Sequence, residues 1–167
     1  MNDHFSVRAP VESTMHFRLR VLLSVLFLAV ATNCVDFCVK TPLYYIPRVS
    51  TDWIGAVEYY NRLNMRLAIV DSQEKHDNIV ELIKASDVFV PNATSVWIGA
   101  NDISTEGTFV WLATGQRANY TNWSVGNPNN HAGREHCAEI AYQSYTRWTW
   151  TWNDHKCDTK LNLICEF

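Results

Sequence analysis

Oxygen-bearing side chains recur in the last third of the chain, around one proline and on both sides of two cysteines. The pattern comprises Asn127-Pro128-Asn129, Glu135 before Cys137, Trp152-Asn153-Asp154 before Cys157, and Cys165-Glu166-Phe167. Ca²⁺ takes about six to eight oxygen ligands, and carboxylate and amide side chains from several segments supply them when a rigid frame holds them together. The pattern therefore predicts a fold in which distant segments meet at one cation site.

The N-terminal residues have the pattern of a secretory signal peptide. Arg18 and Arg20 precede an apolar stretch over residues 21–31, which is shorter than the roughly 20 residues of a transmembrane helix. Cleavage is expected after Ala31 or after Cys34, so residues 1–34 are assigned to this leader. A signal anchor is the alternative interpretation. We expect a secreted, extracellular chain with no membrane span in its mature form.

The composition fits a single domain after the leader. The chain has 167 residues, of which 47% are hydrophobic, and this is enough to form one core. Its formal net charge is −3 and it has no long basic run, which argues against nucleic acid as a partner. Five cysteines are an odd number for a secreted protein, and cleavage after Cys34 would leave four. Three sequons, at Asn92, Asn119 and Asn122, are candidate glycosylation sites.

Two helices are predicted in the first half of the chain. The first follows Ser50, Thr51 or Asp52, each of which can cap a helix. Its apolar residues recur at helical spacing: Trp53, Ala56, Val57, Tyr60 and Leu63. The second begins at Asp71 or Ser72, and Asp71 with Glu74 resembles a capping box. Its predicted buried face consists of Ile79, Leu82 and Ile83.

Short apolar segments predict β-strands before, between and after these helices. They lie at residues 40–49, 67–70, 97–99, 109–111, 138–142, 147–152 and 161–167. Trp97 and Trp111 are predicted core residues, and Trp148, Trp150 and Trp152 would share one strand face by alternation. Residues 112–136 are rich in Asn, Gly, Ser and Thr, and an ordered loop of that length is usually functional. Helices early and strands late indicate an α+β fold with an antiparallel sheet.

Taken in order, these motifs resemble the C-type lectin-like domain family. The resemblance runs from about residue 38 to residue 167. It rests on Trp53-x-x-Ala56, Met65-Arg66-Leu67-Ala68, Trp97-Ile98-Gly99, Glu106-Gly107-x-Phe109-x-Trp111, Asn122-Trp123, Pro128-Asn129, Glu135-x-Cys137, Trp152-Asn153-Asp154 with Cys157, and Ile164-Cys165-Glu166.

The resemblance implies a fold whose long loop holds Ca²⁺ and, through it, sugar hydroxyls. Carried over residue by residue, it implies calcium ligands at Asn127, Asn129, Glu135, Asn153 and Asp154. The sugar-binding residues would be Asn127, Asn129, Glu135 and Asn153. The resemblance also implies a cis peptide bond before Pro128.

The chain departs from the family pattern at Asn127. Members that bind mannose-type sugars usually have Glu-Pro-Asn at this point of the chain. Members that bind galactose usually have Gln-Pro-Asp. The implied ligand set thus carries two carboxylates, Glu135 and Asp154, so weaker calcium binding is expected. Asn129 favours the mannose or fucose class.

A further departure concerns an auxiliary calcium site of some members. Asp102 and Glu106 match its acids, whereas Asn130 and His136 replace two others. We expect this auxiliary site to be absent or poor, and we interpret His131 and His136 as surface histidines.

The resemblance also implies the disulfide pairing. Cys137 and Cys157 form one family bridge. The family's cysteine partner of Cys165 is replaced by Tyr60, so we predict that Cys38 bridges Cys165. Cys34 is the alternative partner if it survives cleavage, and a free Cys165 thiol is the remaining possibility.

These observations predict a secreted calcium-dependent lectin that binds glycans or glycoproteins. The alternative is a protein-interaction module on the same fold with weak or no calcium and sugar binding. An enzyme is not expected, because the sequence has no nucleophile–base pair at recognisable spacing, no phosphate-binding glycine loop and no zinc motif.

Overall fold

The computed structural model describes residues 44–167, and the predicted leader, Cys34 and Cys38 lie outside this part. Within it, the α-helices are α1 (Trp53–Asn61) and α2 (Gln73–Ala85). The strands are β1 (Tyr44–Tyr45), β2 (Arg66–Leu67), β3 (Ala93–Asn101), β4 (Val110–Trp111), β5 (Cys137–Gln143), β6 (Thr149–His155), β7 (Asn162–Leu163) and β8 (Cys165–Glu166). This confirms the predicted α+β class. Neither helix in residues 44–167 has the length and apolar character needed to cross a membrane.

Helix α1 begins and ends for local reasons. The Asp52 carboxylate accepts the backbone N–H of Gly55 at 2.7 Å, so Asp52 is the cap among the three candidates. The helix buries Trp53, Ala56 and Tyr60, as predicted. The prediction was wrong for Leu63, which is 46% exposed because the helix ends at Asn61.

Helix α2 is capped by Ser72, whose hydroxyl accepts the backbone N–H of Lys75 at 3.2 Å. The capping-box prediction for Asp71 was therefore wrong. Asp71 instead pairs with Lys75 one helical turn away, at 2.9 Å between Oδ1 and Nζ. Ile79 and Ile83 are fully buried, so this helix packs on the core through the predicted face.

The strands form two sheets. Strand β8 lies between β1 and β2 in a small antiparallel sheet that brings the C-terminus back to the start of the domain. The larger sheet has the order β4-β3-β5-β6, and β7 pairs with β3 in parallel. The predicted antiparallel pairing is confirmed, and the short strand β7 adds one parallel pairing to it. Trp97, Trp111 and Trp152 are all buried in the cores against these sheets.

Strands β5 and β6 fix the position of the long loop. In their antiparallel register Glu139 lies opposite Asn153, and Cys137 lies opposite His155. A disulfide between Cys137 and Cys157, with 5.2 Å between the Cα atoms, closes the same end of the pair. The loop then joins β6 through backbone hydrogen bonds: Ser124 N donates to Trp152 O at 2.8 Å, and Trp152 N donates to Asn122 O at 2.7 Å.

Cys165 is enclosed by apolar and aromatic side chains. Tyr60 stands beside it, fully buried, and both the tyrosine hydroxyl and the Cys165 thiol donate to Tyr45 O, at 3.4 and 3.3 Å. Burial raises the pKa of the Cys165 thiol to about 11. Within residues 44–167 Cys165 has no disulfide partner. Its predicted partner Cys38 lies outside the described residues, so that bridge stays a prediction.

Candidate functional site

The loop after Ser124 and the end of β6 bring three predicted amide ligands into one hydrogen-bonded cluster. The Asn127 amide donates to Ser124 Oγ at 2.8 Å and to Asn153 Oδ1, and the Asn129 amide donates to Asn127 Oδ1. The Asn127–Pro128 peptide bond is cis. Side chains that are 26 residues apart in sequence therefore meet at one point.

Asp154 holds the loop residues Asn129 and Asn130 to strand β6. Its side chain is 1% exposed, and its carboxylate accepts the backbone N–H of Asn129 at 2.9 and 3.0 Å and that of Asn130 at 2.6 Å. Hydrogen bonds to an ionised carboxylate are roughly twice as strong as neutral ones. Asp154 is thus both a predicted ligand and the anchor of the loop.

Glu135 reaches the same region from the other end of the loop. Its Oε2 accepts the backbone N–H of His131 at 3.1 Å, and its own N–H donates to Asn130 Oδ1 at 3.0 Å. Glu135 lines one cavity together with Asn129 and Asn153. The structure therefore brings all five predicted ligands to one end of the β5–β6 pair.

The donor set fits a hard cation. It offers the carboxylates of Glu135 and Asp154 and the amides of Asn127, Asn129 and Asn153, with no sulfur or imidazole among them. Oxygen-only sets of this kind suit Ca²⁺ and are poor sites for soft metals. The set contains two carboxylates, because position 127 is an asparagine.

A second polar cluster lies beside this site. Asp102, Glu106 and His136 offer ligand atoms within 4.8 Å of one another. The Asp102 carboxylate is buried, and it contacts His136 Nδ1 at 3.1 Å and accepts the Gly107 N–H at 2.7 Å. Asn130 donates to Glu106 at 2.6 Å. His136 is thus a partner of a buried carboxylate, a contact that its interpretation as a surface histidine missed.

Sequence reasoning also missed the cavity that adjoins the predicted ligands. Glu139 lies on its floor, 2% exposed, and accepts the Asn153 amide N–H at 2.8 Å. Burial raises the pKa of the Glu139 carboxyl. Strand alternation from Cys137 would have placed Glu139 on this face, but the cavity also requires Trp148 and Leu161, which come from other segments.

The prediction that Trp148, Trp150 and Trp152 share one face was wrong. Trp148 lies before β6 and lines the cavity with Glu139. Trp150 has a left-handed backbone conformation (φ 62°) and stacks on Tyr142 at 5.0 Å between ring centroids. The β5–β6 register is irregular at Tyr142, and such an irregularity interrupts the alternation of side chains.

The three sequon asparagines differ in their surroundings. Asn92 and Asn119 are exposed. The Asn122 amide contacts His76 Nε2 at 3.1 Å and donates to Trp150 O at 3.2 Å. Burial lowers the pKa of His76, and His76 Nδ1 accepts the indole N–H of Trp152 at 3.3 Å. A glycan on Asn122 would replace an amide proton used in these contacts, so Asn92 and Asn119 are the proposed glycosylation sites that fit the folded chain.

Comparisons with known proteins agree on one family. The model of the family described as the lectin C-type domain matches residues 49–167. Salivary C-type lectin 1 of Aedes albopictus is 37% identical over 147 residues, which cover 84% of this chain and 96% of the relative. The mouse scavenger receptor C-type lectin carbohydrate-recognition domain aligns with a TM-score of 0.62 at 29% identity, over 74% of this chain and 86% of that one. The cow CD23 domain, solved in the presence of a GlcNAc2Man3 oligosaccharide, aligns with a TM-score of 0.60 at 29% identity, over 74% and 85%.

Proposed function

The chain belongs to the C-type lectin domain family, and on this premise we propose that it binds carbohydrate in a calcium-dependent manner. The observation that carries the proposal is the convergence of five oxygen-bearing side chains at one end of the β5–β6 pair. They are Asn127, Asn129, Glu135, Asn153 and Asp154. The relatives are C-type lectin domain proteins, a non-enzymatic family, and carbohydrate is the ligand that we propose for this chain.

Different side chains would contact the ion and the two sugar hydroxyls. Bound Ca²⁺ would supply a hard, positively charged centre for two neighbouring sugar hydroxyls. Asn153 can direct its Oδ1 to the ion while its amide is oriented by the buried Glu139. The Glu135 carboxylate would accept a hydrogen bond from one sugar hydroxyl, and the Asn153 amide N–H would donate to the same hydroxyl. Asn127 and Asn129 offer amides to the second hydroxyl.

We propose a mannose- or fucose-type ligand, carried by glycans or glycoproteins. Asn129 is the residue that favours this class, and the cow CD23 structure was determined with an oligosaccharide that contains mannose. We also propose that the leader is cleaved after Ala31 or after Cys34 on secretion, which fits a relative that is named a salivary lectin. The auxiliary calcium site is not part of the proposal.

Retention on immobilised sugar tests this function. Purified mature chain is applied to mannose and galactose resins in millimolar Ca²⁺, and the column is then washed with a chelator. We expect retention on mannose and release by the chelator, because two of the proposed sugar contacts depend on the ion. Retention that survives chelation would contradict the proposal.

The same experiment tests the alternative, which is a protein-interaction module with weak or no calcium and sugar binding. Asn127 lacks the carboxylate that the family's mannose binders have, and this favours a protein-interaction module with weak calcium binding. A chain that is folded, as shown by a cooperative thermal transition, yet passes both resins in Ca²⁺ would support that alternative.

A further inference from the structure

Ser124 is a buried serine whose side chain contacts one of the predicted ligands. It is 4% exposed, and its Oγ accepts the side-chain amide N–H of Asn127 at 2.8 Å. Its main chain is bonded on both sides: Ser124 N donates to Trp152 O at 2.8 Å, and Asn127 N donates to Ser124 O at 3.0 Å. Strand β6 and the turn from Ser124 to Asn127 therefore hold this serine beside the Asn127 side chain.

The Asn127 side chain can act as a ligand in only one of two orientations. A carboxylate has an oxygen at either end, whereas an amide has Oδ1 at one end and an NH₂ group at the other. Calcium binds oxygen, and an amide NH₂ group has no acceptor position for a cation. The orientation of this amide therefore decides whether Asn127 contributes to the site.

The contacts of the Asn127 amide favour the orientation that exposes its oxygen. Its NH₂ group donates to Ser124 Oγ and to Asn153 Oδ1, and its Oδ1 accepts the amide N–H of Asn129. The Asn153 amide donates to the buried Glu139, so Asn153 presents its oxygen to Asn127. A rotated Asn127 amide would bring its oxygen against Asn153 Oδ1, and two acceptors with no proton between them repel each other.

Ser124 differs from Asn153 in that it is not a predicted ligand. Asn153 Oδ1 becomes a weaker acceptor for the Asn127 amide once it binds a cation, because the ion draws on the same lone pairs. Ser124 Oγ keeps its lone pairs for the Asn127 amide whether or not the site is occupied. Because the serine is buried, water does not readily replace its hydroxyl.

We propose that Ser124 is a positioning residue that holds the Asn127 amide with its oxygen toward the calcium and sugar site. The proposal rests on the proposed function, because it requires Asn127 to be a ligand. It is specific to a chain with an amide at position 127, since a glutamate there would present an oxygen in either orientation. In the orientation that Ser124 favours, Asn127 offers an acceptor and Asn129 a donor to the same sugar hydroxyl, which can donate and accept at once.

Calorimetric titration with Ca²⁺ tests the role of Ser124 in two backgrounds. In the unaltered chain, Ser124→Ala should weaken calcium binding about three- to tenfold, the effect of one neutral hydrogen bond. In the Asn127→Glu chain, the same substitution should change calcium affinity by less than about twofold, because both carboxylate oxygens are acceptors. Ser86→Ala is the matched control. It also removes a hydroxyl hydrogen bond, the one of 2.7 Å to Ile83 O at the end of helix α2, and should leave calcium affinity unchanged in both backgrounds.

NMR of the calcium-free chain follows the amide itself. The side-chain N–H signals of Asn127 are identified by their loss in Asn127→Glu. Ser124→Ala should shift these signals and speed their exchange with water, because the NH₂ group loses a buried acceptor. Ser86→Ala should leave them in place.

The outcomes separate the positioning role from the proposed function. The positioning role is wrong if Ser124→Ala leaves calcium affinity unchanged, weakens it equally in both backgrounds, or does not move the Asn127 signals; the proposed function then stands. If the unaltered chain is folded and binds neither calcium nor methyl α-mannoside, the proposed function fails and the positioning role fails with it. Cooperative thermal unfolding of each variant shows that a loss of affinity is not a loss of the fold.

Discussion

Asp154→Asn is expected to weaken calcium binding by about 100-fold or more, because it removes one of only two carboxylates in the ligand set. The substitution also places an amide NH₂ where the backbone N–H groups of Asn129 and Asn130 now meet a carboxylate. Hydrogen bonds to a charged group contribute about 1.5–3 kcal/mol, so the loop should loosen as well. Calcium titration by calorimetry measures the first effect, and thermal unfolding with and without Ca²⁺ measures the second.

Asp158→Asn is the control for this prediction. Asp158 is exposed, lies four residues further along the chain and undergoes the same change of charge. Its variant should bind calcium as the unaltered chain does. If the two variants had equal calcium affinities, Asp154 would not be a ligand and the proposed set would be wrong.

Asn127→Glu is expected to strengthen calcium binding by about tenfold or more, since affinity at such sites rises with the number of charged ligands. The new carboxylate would lie beside Asn129 and Asn153, which the Asn127 amide contacts in the structure. It would also give the second sugar hydroxyl a charged acceptor, and such hydrogen bonds are roughly twice as strong as neutral ones. We therefore expect methyl α-mannoside to bind this variant more tightly as well, as measured by calorimetric titration of the sugar in the presence of Ca²⁺.

Asn127→Gln isolates the charge from the added length. Glutamine has the length of glutamate and the neutrality of asparagine, so its calcium affinity should stay close to that of the unaltered chain. Equal gains in calcium affinity from both substitutions would show that side-chain length, and not charge, limits the affinity of this site. That result would contradict the argument from ligand charge.

The convergence of the five proposed ligands could be predicted because each lies close to a residue that fixes the local chain. Asn127 and Asn129 flank Pro128, Glu135 lies two residues before Cys137, and Asn153 and Asp154 come directly after the core residue Trp152. These neighbours determine the backbone, so family spacing was enough to expect that the side chains converge, and the structure brings them together.

The cavity beside the ligands could not be predicted in the same way. Glu139 alternates with Cys137 along β5, but its burial depends on its pairing with Asn153 and on Trp148 and Leu161. Trp148 was placed on the wrong face, because Trp150 adopts a left-handed conformation at a register irregularity. Alternation holds only within a regular ladder, and no sequence signal marked where this one becomes irregular.

The exact helix boundaries could not be predicted, because neighbouring residues are equally suited to the same position. Asp71 and Ser72 are both good cap residues, and composition alone does not choose between them. The structure uses Ser72 as the cap and leaves Asp71 to pair with Lys75. Likewise, helical spacing extended α1 to Leu63, although the helix ends at Asn61.

The linkage between calcium and sugar tests the central claim most directly, namely that the sugar contacts the bound ion. The dissociation constant for Ca²⁺ is measured by calorimetry without sugar and with saturating methyl α-mannoside. Because coupling between two ligands is reciprocal, a sugar that needs the ion must tighten its binding by the same factor. We predict a calcium dissociation constant that falls several-fold in the presence of the sugar. An unchanged constant, in a chain that binds both ligands, would contradict direct coordination.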